Sequence, residues 1–221
     1  TPMGIAHYLE HKMFDMPGGG NALQTLSATG ASPNAFTSTA ITGYHFECTE
    51  GFWENLRTLL SFVSVPYFTK ESVEKEQGII GQEIRMIEDR PGWQAYHRLL
   101  EALYEHHPVR NSVAGSVESI AQITAETLYH CHEAFYTPSN MVLCVAGNVD
   151  PEQVCAMARE ILPKEAKPTI PRDHGSNEPS QVYCQEDVLT MEVAAPLLQI
   201  GVKLQAAHDG PAATFVGRSG L

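Results

Sequence analysis

Apolar residues recur at helical spacing through most of the first 162 positions. Leu56, Leu59, Leu60 and Val63 mark one face of a helix over about 52–63, and the same period places helices near 3–14, 22–29, 70–85, 93–104, 117–123, 125–135 and 151–162. The punctuation agrees with this. Pro17-Gly18-Gly19-Gly20-Asn21 breaks the first helix, Gly30 suits a left-handed cap after the second, and Asp150-Pro151 supplies a cap with proline at the first helical position. Arg90-Pro91-Gly92 separates the helix of 70–85 from the next. A two-residue period with a short connection predicts a pair of strands at about 34–39 and 42–49. The apolar run Asn140 to Gly147 predicts a buried strand, and Ala195 to Lys203 another. Trp93 and Tyr96, three apart on one helical face, are expected in the core.

The chemistry concentrates at His7-Tyr8-Leu9-Glu10-His11. Side chains at i and i+4 lie one above the other on a helix, so His7 and His11 can bind one metal ion through ring nitrogens. Glu10 stands beside that position, placed to take a proton from water rather than to ligate. The order His-x-x-Glu-His is the inverted form of the commoner zinc-hydrolase motif. An open catalytic zinc site needs a third ligand, usually a carboxylate. The helix of 70–85 offers Glu76 and Glu83, seven residues apart on one face. The remaining histidines are less suggestive. His106 and His107 sit in a loop without a carboxylate pair, and His130 and His132, two apart, cannot share a helix face.

With these residues together, the chain resembles the pitrilysin and insulinase family of zinc metallopeptidases over about residues 3–162. Further matches are Gly30-Ala31-Ser32-Pro33-Asn34-Ala35-Phe36-Thr37, Thr42-Gly43-Tyr44, His107-Pro108 before Gly115, Tyr136-Thr137-Pro138-Ser139-Asn140-Met141 and Gly147-Asn148-Val149-Asp150. The resemblance implies an α+β fold, a mixed or antiparallel sheet packed on helices as in pitrilysin and mitochondrial-processing peptidases. It implies one Zn2+ ion on His7, His11 and Glu83, with Glu10 as the base and Glu76 supporting a ligand histidine. It implies a peptide substrate along Asn34, Ala35, Phe36 and Thr37, with Asn34 and Ala35 at the scissile region and Phe36 in a side-chain pocket. An edge strand there would pair with an extended peptide through main-chain hydrogen bonds.

The organisation expected is a zinc-binding domain at 1–162, a linker at 163–180 carrying Pro163, Pro168, Pro171 and Pro179, and the start of a second, similar domain at 181–221. The chain is expected to be a piece of a longer protein, cut at both ends. A C-terminal half or a partner subunit would then supply the Arg and Tyr with which the resembled family holds its substrate.

Composition narrows the partners. Lys plus Arg total 14 against 26 Asp plus Glu, a net charge of −12, which argues against nucleic acid or an anionic membrane as partner. With 43% apolar residues in 221, the chain can bury a core, and no apolar run reaches the ~18 residues of a membrane span. Five scattered cysteines without a Cys-x-x-Cys pair read as reduced thiols, and a cytoplasmic location is expected. The function expected is a zinc-dependent endopeptidase acting on peptides or unfolded segments. Two alternatives stay open: a non-catalytic or partner-dependent subunit of a two-subunit peptidase, and a small-molecule hydrolase on the same site architecture.

Overall fold

The computed structural model describes residues 1–164, 177–204 and 215–217. Most of the expected linker, at 165–176, lies outside the described residues, as do 205–214 and 218–221 of the expected second domain.

The chain orders its elements as α1 (Ile5–Lys12), β1 (Asp15–Met16), β2 (Gly20–Asn21), α2 (Ala22–Ala28), β3 (Ser32–Thr37), β4 (Thr42–Glu47), α3 (Phe52–Ser64), α4 (Lys70–Glu88), α5 (Pro91–Leu103), α6 (Val117–Ile120), α7 (Ala125–Phe135), α8 (Pro151–Ile161), β5 (Ile200–Val202) and β6 (Phe215–Gly217). The fold is α+β. Among the described residues the strands form three two-stranded antiparallel ladders, β1 with β2, β3 with β4, and β5 with β6.

Helix α1 runs through the centre. Tyr8, Leu9 and Met13 are almost fully buried and join Leu26, Phe62, Val73, Ile80, Ile84, Ile120 and Leu128 in one core. Full burial of side chains of this size stabilises by about 1.5–3 kcal/mol each. The Tyr8 hydroxyl also donates to the carbonyl of Val73, 2.5 Å away, which fixes α1 against α4 in register. Helix α4 is started by a reciprocal cap, Thr69 accepting from the Ser72 amide while Ser72 accepts from the Thr69 amide. The second face of α3, Leu56 and Leu60, packs on Val154 of α8.

The amino end of α1 has no side-chain cap. Gly4 precedes it at φ +85°, and a Cβ there would stand 2.4 Å from the carbonyl oxygen of Ala114. A Cβ on Gly115, at φ +75°, would likewise stand 2.6 Å from the carbonyl oxygen of Met3. Only glycines permit both the left-handed turns and this backbone-to-backbone contact.

Three expectations are corrected. Residues 140–147 form no strand among the described residues, and Val142 is 94% exposed. Met141 has extended dihedrals, but a strand is defined by its ladder, and no described segment pairs with this one. Tyr96 is 43% exposed rather than core. The inward stripe of α5 is Leu100 and Leu103, which cluster with Tyr104. Towards the amino end of α5 the stripe leaves the core and faces an open cleft, where Trp93 stacks on His97 at 4.7 Å. The strand expected over 195–203 is confined to Ile200–Val202.

Candidate metal centre

Helices α1 and α4 cross with His7 and His11 on one and Glu76 and Glu83 on the other. Nε2 of His7 lies 3.6 Å from Oε1 of Glu83, and Nε2 of His11 lies 3.5 Å from its Oε2. One ligating atom from each of the three residues can be chosen so that all lie within 4.8 Å of one another. These separations are longer than good N–H···O hydrogen bonds. They suit ligands of a shared ion, since two atoms each ~2.0–2.1 Å from a tetrahedral centre stand about 3.3 Å apart. The donor set fits zinc: two imidazoles and one carboxylate, the last 38% exposed at its side chain and so open to solvent on one side.

The surroundings orient these groups. Nδ1 of His11 lies 3.1 Å from Oε1 of Glu76, so the nitrogen turned away from Glu83 has a carboxylate partner. Nearly buried Lys12 stands 3.7 Å from the other Glu76 oxygen and also pairs with Asp15. The contact with His11, helped by Lys12, holds the Glu76 carboxyl below its ordinary range despite its burial. On His11 burial works against charge, but Glu76 and the neighbouring carboxylates raise its pKa overall. On His7 burial prevails, seconded by the nearby His11, and its pKa is lowered. His7 Nδ1 is buried with no hydrogen-bond partner.

Glu10, on the same turn, is 8% exposed, and its Oε2 accepts from the Thr37 hydroxyl. Opposite, the hydroxyls of Tyr44 and Tyr136 share a hydrogen bond of 2.7 Å across 92 positions of sequence. Burial pushes both phenols far above their ordinary range, so they stay neutral and polar beside Glu10.

Strand β3 divides the four expected substrate contacts. Asn34 and Phe36 face outward, and Ala35 and Thr37 face inward, as the two-residue repeat requires. Asn34 Oδ1 accepts from the amide of Ala35, and the Phe36 ring lies across Gly43, its partner on β4. Phe36 is absent from the wall of the cleft beside His7. That cleft, about 220 Å³, is lined by Thr37, Trp93, Tyr96, His97 and the loop from Val109 to Ala114. Of these, sequence reasoning expected Thr37 at the substrate and placed Trp93 and Tyr96 in the core, and it did not reach His97 or the loop residues. The apolar face of α5 was the signal for Trp93 and Tyr96, and a core-facing helix would have carried the same signal.

The sequence profile of the insulinase family, peptidase family M16, matches residues 2–117, and that of the peptidase M16 inactive domain matches 122–212. A Bacillus subtilis (strain 168) protein named uncharacterized zinc protease YmfH is 46% identical over 206 residues, 92% of this chain and 48% of that protein. A Mycobacterium leprae protein named uncharacterized zinc protease ML0855 is 34% identical over 72% of the chain and 37% of its own length. The chain thus spans about half the length or less of the curated relatives it matches. A crystal structure described as an M16-like peptidase, from Alicyclobacillus acidocaldarius, superposes with a TM-score of 0.75 at 42% identity, over 83% of this chain and 44% of that one.

Proposed function

Because the chain belongs to the insulinase family of M16 peptidases, we propose that it carries the catalytic core of a zinc-dependent endopeptidase acting on extended peptides or unfolded segments. The observation that carries this reading is the convergence of His7, His11 and Glu83 on one point with Glu10 on the same helical turn. His7, His11 and Glu83 would hold one zinc ion. A zinc ion there supplies Lewis-acid polarisation of the scissile carbonyl and acidifies a water molecule.

Glu10 accepts a proton from the attacking water and returns it to the leaving nitrogen. Thr37 holds the Glu10 carboxylate in place, and Glu76 fixes the His11 ring through Nδ1. Among the described residues β3 pairs only with β4, so its other edge is free to add an extended peptide through main-chain hydrogen bonds. On this reading Asn34, Ala35, Phe36 and Thr37 contact substrate, residues 1–162 form the zinc-binding domain, and 181–221 begin a second one after the linker at 163–180. All four motif residues lie within the insulinase profile, not in the span matched by the inactive-domain profile. A C-terminal half or partner subunit would complete the substrate chamber.

Full-length protein, loaded with zinc, is expected to cleave internally quenched peptides at internal bonds, to lose that activity to a chelator and to regain it with zinc. A protein that hydrolyses a small thioester but no peptide would overturn the reading in favour of a small-molecule hydrolase.

A further inference from the structure

The loop after α5 builds one wall of the cleft. It runs from Glu105 to Ser116, and Val109, Asn111, Ser112, Val113 and Ala114 line the same cavity as His7 and Thr37. Its far end is pinned to the start of α1, where Ala114 and Gly115 meet Gly4 and Met3 backbone to backbone and the Ser119 hydroxyl donates to the Met3 carbonyl.

Its near end is held by Glu178, from the last residues of the expected linker. Oε1 of Glu178 accepts from the amide of Glu105 at 3.0 Å, and Oε2 accepts from the amides of His106 and His107, each at 2.7 Å. Three successive backbone N–H groups aimed at one carboxylate form an anion-binding nest. Lys203, from just after β5, donates to the same carboxylate and to the carbonyl of Gln181. Both side chains are about nine-tenths buried, 11% exposed for Glu178 and 10% for Lys203. The segment is seated by further contacts. Cys184 donates its amide to Ala102, Val182 packs on Leu100 and Leu103, and Arg110 of the loop stacks on Tyr183.

We infer that Glu178 is a positioning residue: by gripping the amides of residues 105–107 it sets the conformation of the cleft wall that receives a substrate side chain next to the scissile bond. The inference rests on the peptidase reading for its consequence, and on the hydrogen-bond geometry for the grip itself. Three charge-assisted hydrogen bonds to consecutive amides leave the loop entrance little freedom. A wall displaced by even an ångström alters how a neighbouring group is oriented for reaction.

The test uses full-length protein carrying Glu178→Ala or Glu178→Gln. Hydrogen exchange is followed in fragments covering 104–114, together with zinc content and with kcat and KM on two quenched peptides, one bulky and one with alanine beside the cleaved bond. Glu178→Ala is expected to speed exchange at 105–107 by about tenfold or more and to raise KM for the bulky peptide by about tenfold. The alanine peptide stays within about twofold and zinc content is unchanged. Glu178→Gln, which keeps one acceptor oxygen, should recover part of both effects. Unchanged exchange in Glu178→Ala would overturn the inference. So would an equal fall in kcat/KM on both peptides together with zinc loss, which marks general destabilisation. If wild type cleaves neither peptide, the peptidase reading fails and the exchange result alone decides the grip on the loop.

Discussion

The hydroxyl of Thr37 donates to Oε2 of Glu10 at 2.5 Å, joining β3 to the one carboxylate of α1, which stands outside the candidate ligand set of His7, His11 and Glu83. On the proposed reading, the strand that would offer its edge to substrate would also aim the base. Thr37→Val keeps the shape of the side chain and removes the donor. Losing a hydrogen bond to a charged group costs about 1.5–3 kcal/mol, so kcat should fall by roughly 10- to 100-fold at unchanged zinc content, while Thr37→Ser stays near wild type. Steady-state kinetics on a quenched peptide decides it, and equal rates for the Val and Ser variants would detach the hydroxyl from the base.

Glu10 and Glu83 should separate cleanly by metal analysis. Glu10→Gln is expected to retain zinc and to lose at least about 100-fold in kcat, because an amide cannot accept the proton. Glu83→Gln should instead weaken zinc binding. Substantial turnover by Glu10→Gln would require another base.

Glu76 meets His11 on the side turned away from Glu83, with Lys12 behind it. Glu76→Ala should therefore weaken zinc affinity by about 10- to 100-fold, read from competition with a chromogenic chelator. An unchanged affinity would make the Glu76–His11 contact incidental.

How far the site was legible follows from which contacts are local. His7, Glu10 and His11 lie within one helical turn, so their spacing alone brings them together. Glu83 and Glu76 stand on another helix, and only the resemblance tied them to α1. The cleft wall was illegible for a physical reason: the face of α5 that is core at Leu100 and Leu103 continues into Trp93 and Tyr96 without any change in pattern. The helices were found because each carries its own 3.6-residue stripe. The run at 140–147 has the apolar content of a strand but no ladder partner among the described residues, and apolar content does not supply one.

Glu178 predicts an acid-sensitive contribution to stability. Burial works against its charge, but Lys203 and the amides of Glu105, His106 and His107 outweigh it and hold the carboxyl down to about 2. Among the described residues, Lys203, Glu105, His106 and His107 meet it directly, with Tyr104 against Lys203 and Arg110 against Glu105. A carboxyl depressed on folding contributes stability that is complete above its unfolded value, near 4.5, and lost as pH falls through about 2. The contribution is on the order of 3 kcal/mol. Denaturant midpoints of wild type and Glu178→Gln should therefore differ most above pH ~5 and converge towards pH ~2. A gap that does not change with pH would remove the charge from the account.

Gly4→Ala should destabilise by about 1–3 kcal/mol, since the new Cβ meets the Ala114 carbonyl and the positive φ is strained. The melting temperature would fall by several degrees. An unshifted melting curve would mean that the loop and α1 separate at little cost.

The alternation along β3 has a consequence for how a substrate is chosen. On the proposed reading, a chain laid along the other edge of β3 would take on the same parity, so every second side chain would turn towards the cleft and the others would turn to solvent with Asn34 and Phe36. Sliding that chain by one residue would exchange the two sets. Selectivity would then rest on alternate substrate positions, with the residues between them free to vary.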